Sequence, residues 1–222
     1  LRGTSTVIFD TTAVSQIRGN HSWENFTCTT AGKVLQFQDA TTHIIFGNLT
    51  LTGATGINGP ITLESISGGT WNFRIAQNTE SVSSVIVRNS LVDATAPSFA
   101  ITATSSRDDT PGVTTIGAEP DSPPGWVFPQ GTLTWTGAAG TSDWHTDNNW
   151  NGGYEPNSGD VVILDNTGAN YPVATSQDVT VAELDIGGTE SLDIAGNSLT
   201  VSTAGQFNLQ GTLFRAGSGE TA

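Results

Sequence analysis

Asp143, Asp147, Asn148 and Asn149, with Asp160 a little further on, are oxygen donors of the kind a hard cation uses. Calcium takes six to eight such oxygens. Their spacing matches no helix–loop–helix calcium loop, which needs glycine at its sixth position and glutamate at its twelfth. The same residue types also close turns with no metal, through side-chain-to-backbone hydrogen bonds. Calcium at Asp143, Asp147 and Asp160 is thus the one ion to look for, and no other cofactor is expected. Within the same stretch, Trp144 and Trp150 have flat faces suited to stacking on sugar rings. An aromatic of that size serves equally well as buried filling at the end of a fold.

Other chemistry is thinner. Asp108-Asp109 is an adjacent carboxylate pair, but glycoside hydrolysis needs two carboxyl groups facing one bond, roughly 5–9 Å apart. Neighbours on a strand point to opposite sides. Glu64, Arg74 and Arg88 fall on successive candidate strands, where one outer face would give a lyase-like column or, more simply, a surface ion pair of small energetic value. His21, His43 and His145 show no metal-ligand spacing. No nucleophile elbow and no phosphate-cradling glycine loop is present, since the Gly-Gly pairs precede no helix. The expectation is a protein that is not an enzyme. Three Asn-x-Ser/Thr acceptors occur at Asn20, Asn25 and Asn48, and Asn20, in a Gly-Asn turn, is the best placed for a glycan.

What must position these residues is set by composition. Of 222 residues, 13% are charged, with 21 acidic against 7 basic and a net charge of −14. Such a chain repels phosphate backbones and anionic lipid surfaces, which excludes nucleic-acid and membrane-surface roles. No apolar run approaches the ~20 residues of a membrane span. Thr, Ser, Gly and Asn replace the missing charge, a mixture poor for helices, and short apolar/polar alternations dominate. The single cysteine, Cys28, alternates with Phe26 and is expected to point inward as an inert thiol. Starting at Leu1 with no methionine and no signal segment, the chain is expected to be a processed or excerpted part of a secreted, extracellular protein.

Repetition is the strongest signal. Leu184/Ile186, Leu192/Ile194, Leu199/Val201 and Phe207/Leu209 recur at steps of 8, 7 and 8 residues, with turn residues between them: Gly187-Gly188, Ala195-Gly196-Asn197 and Ala204-Gly205. Three short strands and three turns in 23 residues suit one coil of a parallel β-helix. Upstream candidate strands are Thr6–Asp10, Lys33–Phe37, His43–Phe46, Asn48–Thr52, Pro60–Ile66, Thr70–Ile75, Ser84–Asn89 and Phe99–Thr104. The stretch Asp108–Gln130 carries Pro111, Pro120, Pro123, Pro124 and Pro129, which cannot donate to a ladder, and reads as a junction.

The segment Trp135-Thr136-Gly137, Asp143-Trp144, Asn149-Trp150 and Pro156 through Gly159-Asp160-Val161 resembles a module of large bacterial secreted and autotransporter-like surface proteins. The preceding Val34–Phe37 and Gly47–Gly53 runs, the Ile61–Ser65 and Trp71–Phe73 strands and the Gly125–Phe128 ending are similar to the closing half of that module. The resemblance implies an all-β, right-handed parallel β-helix, a solenoid, with a Pro-rich junction and a Trp-rich capping segment. It implies coils over 1–129, a junction and cap over 130–172, and further coils over 173–222. By the same resemblance the chain is a non-catalytic structural or adhesive repeat at the cell surface. It would work by self-association or contact with neighbouring modules of the same protein. The alternatives are a glycan-binding adhesin using exposed tryptophans, or a polysaccharide-degrading β-helix.

Overall fold

The computed structural model describes residues 5–56, 58–77, 79–108, 125–165, 170–202 and 206–214. Asp109, Pro111, Pro120, Pro123, Pro124 and the Ala204-Gly205 turn lie outside the described residues. The chain separates into two compact units, Leu1–Ala54 with Gly59–Pro129, and Thr55–Asn58 with Gln130–Ala222.

In the first unit each of the first four coils supplies one strand to each of three sheets. The first coil holds β1 (Thr6–Phe9), β2 (Ser15–Ile17) and β3 (His21–Trp23). The second holds β4 (Asn25–Cys28), β5 (Val34–Phe37) and β6 (Thr42–Ile45). The third holds β7 (Leu49–Thr52), β8 (Ile61–Ser65) and β9 (Trp71–Ile75), and the fourth β10 (Glu80–Ser83), β11 (Val85–Val87) and β12 (Ser90–Val92). β13 (Ile101–Thr104), β14 (Arg107–Asp108) and β15 (Trp126–Val127) complete the unit. The sheets run β1-β4-β7-β10-β13-β15, β14-β11-β8-β5-β2 and β12-β9-β6-β3, with every pairing parallel. This is a parallel β-solenoid.

Alternation along each strand turns one set of side chains inward. Phe26 and Cys28 on β4 are fully buried, and Cys28 stands beside Leu51 of the next coil. Phe37, Trp71 and Phe73 stack and cross within the same interior, with Phe37 and Trp71 rings 3.9 Å apart and nearly parallel. Corners bring backbones close. A methyl group on Gly53 would strike the Ser84 carbonyl and lie 2.8 Å from the Ile61 amide. Elsewhere at corners a side-chain carbonyl takes the place of a ladder acceptor. Asn25 Oδ1 accepts from the Asn48 amide at 2.9 Å, and Asp178 Oδ1 accepts from Ser198 at 2.8 Å. Asn and Asp side chains suit a corner that needs such a bond, because their short oxygens reach nearby backbone donors.

In the second unit, β16 (Thr132–Thr134), a 3-10 turn at Asp147–Asn149, β17 (Val161–Leu164), β18 (Val179–Val181), β19 (Glu183–Ile186), β20 (Ser191–Asp193), β21 (Leu199–Val201), β22 (Phe207–Leu209) and β23 (Thr212–Phe214) follow in order. They form sheets β16-β17-β19-β22, β18-β21 and β20-β23, again all parallel. Leu184 pairs with Phe207 and Ile186 with Leu209, which is the 23-residue repeat expected from the apolar pairs. The short 3-10 turn is the one helical segment among the described residues, and none is long and apolar enough to cross a membrane.

Candidate functional site

The tryptophan-rich segment is a buried knot. Trp144 and Trp150 are each 1% exposed. Trp150 meets Trp144 and Trp135 edge-on, with centroids 4.7 and 5.1 Å apart, and its Nε1 donates to the Trp144 carbonyl at 2.8 Å. Trp135 Nε1 donates to the Asn170 carbonyl. Neither Trp144 nor Trp150 offers a face to a sugar ring, so the glycan-stacking expectation for this pair is corrected. The reason is aromatic area, which a small solenoid unit buries where it has the means. Asn149, also buried, ties the knot. Its Nδ2 donates to Thr141 Oγ1 and the Asp143 carbonyl, its Oδ1 accepts from the Ala139 amide, and its carbonyl accepts from Thr136 and Gly137.

The three carboxylates do not converge on one point. Asp143 accepts from the His145 amide, Thr146 Oγ1 and Thr175 Oγ1. Asp147 Oδ1 accepts from the Glu155 amide. Asp160 is buried, with Oδ1 on the Gly131 amide and Oδ2 on the Asn157 amide. Among the described residues no three acidic, histidine or cysteine side chains gather as a metal group. The expected calcium cluster of Asp143, Asp147 and Asp160 is therefore corrected to three separate loop anchors, each using carboxylate oxygens on nearby backbone donors.

His145 carries unexpected electrostatics. Its Nδ1 lies 3.1 Å from Glu155 Oε2 and its Nε2 3.3 Å from the Gln177 carbonyl. Burial works against the imidazolium, but the Glu155 hydrogen bond and charge, the Gln177 carbonyl and Asp143 outweigh it and raise the pKa. His43 is the opposite case. It is fully buried among Trp23, Phe37 and Trp71. Its pKa falls to about 4, through burial first and then the neighbouring His21. Thr41 Oγ1 donates to the Gln38 carbonyl, so the 3.0 Å contact to His43 Nε2 is donated by the ring. That leaves Nδ1 as the bare nitrogen, with no partner for a second proton.

The two histidines give opposite pH responses by linkage. His43, depressed in the fold, stabilises above the unfolded value near 6.5, and this is lost as pH falls toward about 4. A shift of that size corresponds to about 3 kcal/mol. His145, raised in the fold, stabilises fully below about 6.5 and loses that contribution as pH rises through its higher native value. Hydrogen exchange should show acid loosening β6 and its neighbours, and mild alkali loosening the segment around His145. His43→Phe and His145→Gln should each remove one response and leave the other.

Glu64, Arg74 and Arg88 do not share a face. Glu64 and Arg88 do pair, with Arg88 Nη1 3.2 Å from Glu64 Oε2, whereas Arg74 lies on β9 in a different sheet. The pair extends a polar ladder over the outer side of β2, β5 and β8. Arg18 donates to Gln16, Gln16 to Gln36, and Gln36 to Glu64. Gln16 and Gln36 were not readable as partners, because their register depends on the length of each coil.

Two further residues are settled by burial. Cys28 is enclosed, and burial pushes its thiol up, partly offset by the Thr30 amide and the Lys33 charge, so it makes a poor nucleophile. Lys33 is buried, its Nζ donating to the Ala13 carbonyl and Ser15 Oγ across the first coil. Asn20 is exposed, and its Oδ1 accepts from the Thr42 amide.

With this geometry in view, the class of protein is a parallel β-solenoid repeat. No family model, no curated protein and no solved structure matches the chain.

Proposed function

We propose that the chain is a non-catalytic structural repeat of an extracellular, cell-surface or fibre-forming protein, working by stacking of solenoid coils. One observation carries this reading. Leu184 and Ile186 on β19 are 1% and 0% exposed, while Phe207 and Leu209, in the same inward columns one coil on, are each 46% exposed. β22 pairs with β19 on one side and with no strand on the other among the described residues. Its backbone donors and acceptors and its apolar column are a template for another coil. Covering such an edge with a further module or a second copy of the chain satisfies both.

Among the described residues the column that the polysaccharide-degrading alternative would use is not assembled. Glu64 and Arg88 are held in a ladder, and Arg74 is on another sheet. The charge of −14 opposes contact between copies, so association should strengthen as salt rises. Sedimentation velocity tests the reading. The wild-type chain should form higher-order species that grow with concentration and ionic strength. Phe207→Asp with Leu209→Asp should stay dispersed with the β-sheet circular dichroism retained. Equal behaviour of the two chains would count against the reading.

A further inference from the structure

The outer side of the sheet β4-β7-β10-β13 differs from every other outer surface of the first unit. Register places Thr27 beside Thr50 and Thr50 beside Ser81, and the Val82–Ala103 pairing puts Ser81 beside Thr102. A second column runs through Thr52, Ser83 and Thr104, with Thr29 next to Cys28 at its head. Four successive coils therefore present the same triplet of hydroxyl, inward residue, hydroxyl: Thr27-Cys28-Thr29, Thr50-Leu51-Thr52, Ser81-Val82-Ser83 and Thr102-Ala103-Thr104. The four middle residues are buried. No charged side chain enters either column over these coils.

Thr29, Ser81, Thr102 and Thr104 are exposed, and Thr27, Thr50, Thr52 and Ser83 are half-buried. Among the described residues, Thr27, Thr29, Thr50, Thr52, Ser81, Ser83 and Thr102 have no side-chain hydrogen bond; Thr104 alone reaches a carbonyl, that of Val82 at 3.4 Å. The neighbouring sheet does the reverse, joining Gln16, Gln36, Glu64 and Arg88 to one another. Strand propensity accounts for threonine on a β-strand. It does not account for two columns in register, free of charge and with a single internal bond, that of Thr104.

Geometry then limits what fits. Adjacent strands stand about 4.7–4.9 Å apart, and residues i and i+2 about 6.6 Å along a parallel strand. Hydroxyls repeat on that grid, each able to donate one and accept two hydrogen bonds. Threonine adds a methyl group beside each hydroxyl, and its χ1 is stiff, so the array is ordered before anything binds. A rigid lattice of alternating methyl and hydroxyl groups holds first-shell water in positions set by the protein. We propose that this face binds ice, with the Thr27/Thr50/Ser81/Thr102 and Thr29/Thr52/Ser83/Thr104 columns as the contact surface. Its ligand is the ordered water of a crystal face, and Ser81 and Ser83, lacking the methyl group, form its weakest rung.

The test is ice-recrystallisation inhibition and thermal hysteresis of the full 222-residue chain. Wild type should arrest grain growth and facet ice crystals. Thr50→Lys, at the centre of the array, should abolish both, whereas Thr42→Lys, on the outer side of β6 in a different sheet, should leave them unchanged. Ser81→Thr with Ser83→Thr completes the methyl grid and should increase hysteresis, a gain that misfolding cannot imitate. Wild type indistinguishable from an inert protein at equal concentration would overturn the proposal, as would full activity in a folded Thr50→Lys. Should Thr50→Lys fail the circular dichroism check, the serine-to-threonine variant decides: a gain supports ice binding and no gain overturns it.

Discussion

Trp71→Ala is expected to lower the stability of the first unit by about 3–5 kcal/mol, the range for removing a buried tryptophan or phenylalanine. Trp71 is fully buried. It stacks on Phe37 at 3.9 Å, meets Phe73 edge-on at 5.0 Å, and donates through Nε1 to the Arg88 carbonyl at 3.0 Å. Three effects add: lost transfer energy, a cavity that the flanking coils cannot close without losing ladder bonds, and a missing donor. Denaturant unfolding should show a lower midpoint at similar slope. A loss under about 1 kcal/mol would put Trp71 at a site that collapses freely and would contradict the interior described for the first unit.

Trp150→Ala is expected to have an effect of similar size in the second unit, about 3–5 kcal/mol. The ring is the shared contact of Trp135 and Trp144, and its Nε1–H satisfies the Trp144 carbonyl. Removing it should expose the knot that Asn149 ties together, and near-ultraviolet circular dichroism should lose its tryptophan signal well beyond one ring's share. A residue whose role was to stack on sugar would behave otherwise: binding would fall while stability stayed intact. Stability unchanged by this substitution would contradict the packing described here.

The sequence made the solenoid legible where each strand contributes two apolar residues. The pairs at 184/186 and 207/209 stand 23 residues apart, and that is their register in the sheet. Phe26 and Cys28 pointed inward for the same reason. Strands β2, β3 and β12 escaped reading because each has three residues and little apolar alternation: Ser15-Gln16-Ile17, His21-Ser22-Trp23 and Ser90-Leu91-Val92. No period survives in so short a run.

Face assignments were less accessible, for a reason of chain length. Leu49 pairs with Glu80, a much longer coil than the one joining Leu184 to Phe207, so which outward residues align cannot be counted off. That variation placed Arg74 and Arg88 on different sheets and hid the Gln16–Gln36–Glu64 ladder. Burial of Trp144 and Trp150 was one of two readings open from the sequence, since a tryptophan suits a binding face and a packed knot alike. The carboxylates of Asp143, Asp147 and Asp160 looked like ligands and proved to be loop anchors because Asp serves both ends by the same oxygen chemistry. The His145 partners, Glu155 and Gln177, come from two different loops, so no motif announces them.

The central proposal is that β22, which among the described residues pairs only with β19 and leaves Phe207 and Leu209 half-exposed, takes a further coil from a neighbouring module or a second copy. Electron microscopy of the purified chain over a concentration series tests it most directly. The account predicts ordered fibres or sheets whose axial repeat is a multiple of the strand spacing, about 4.8 Å, and their absence in Phe207→Asp with Leu209→Asp. Dispersed single particles of the wild-type chain at every concentration and salt would contradict it.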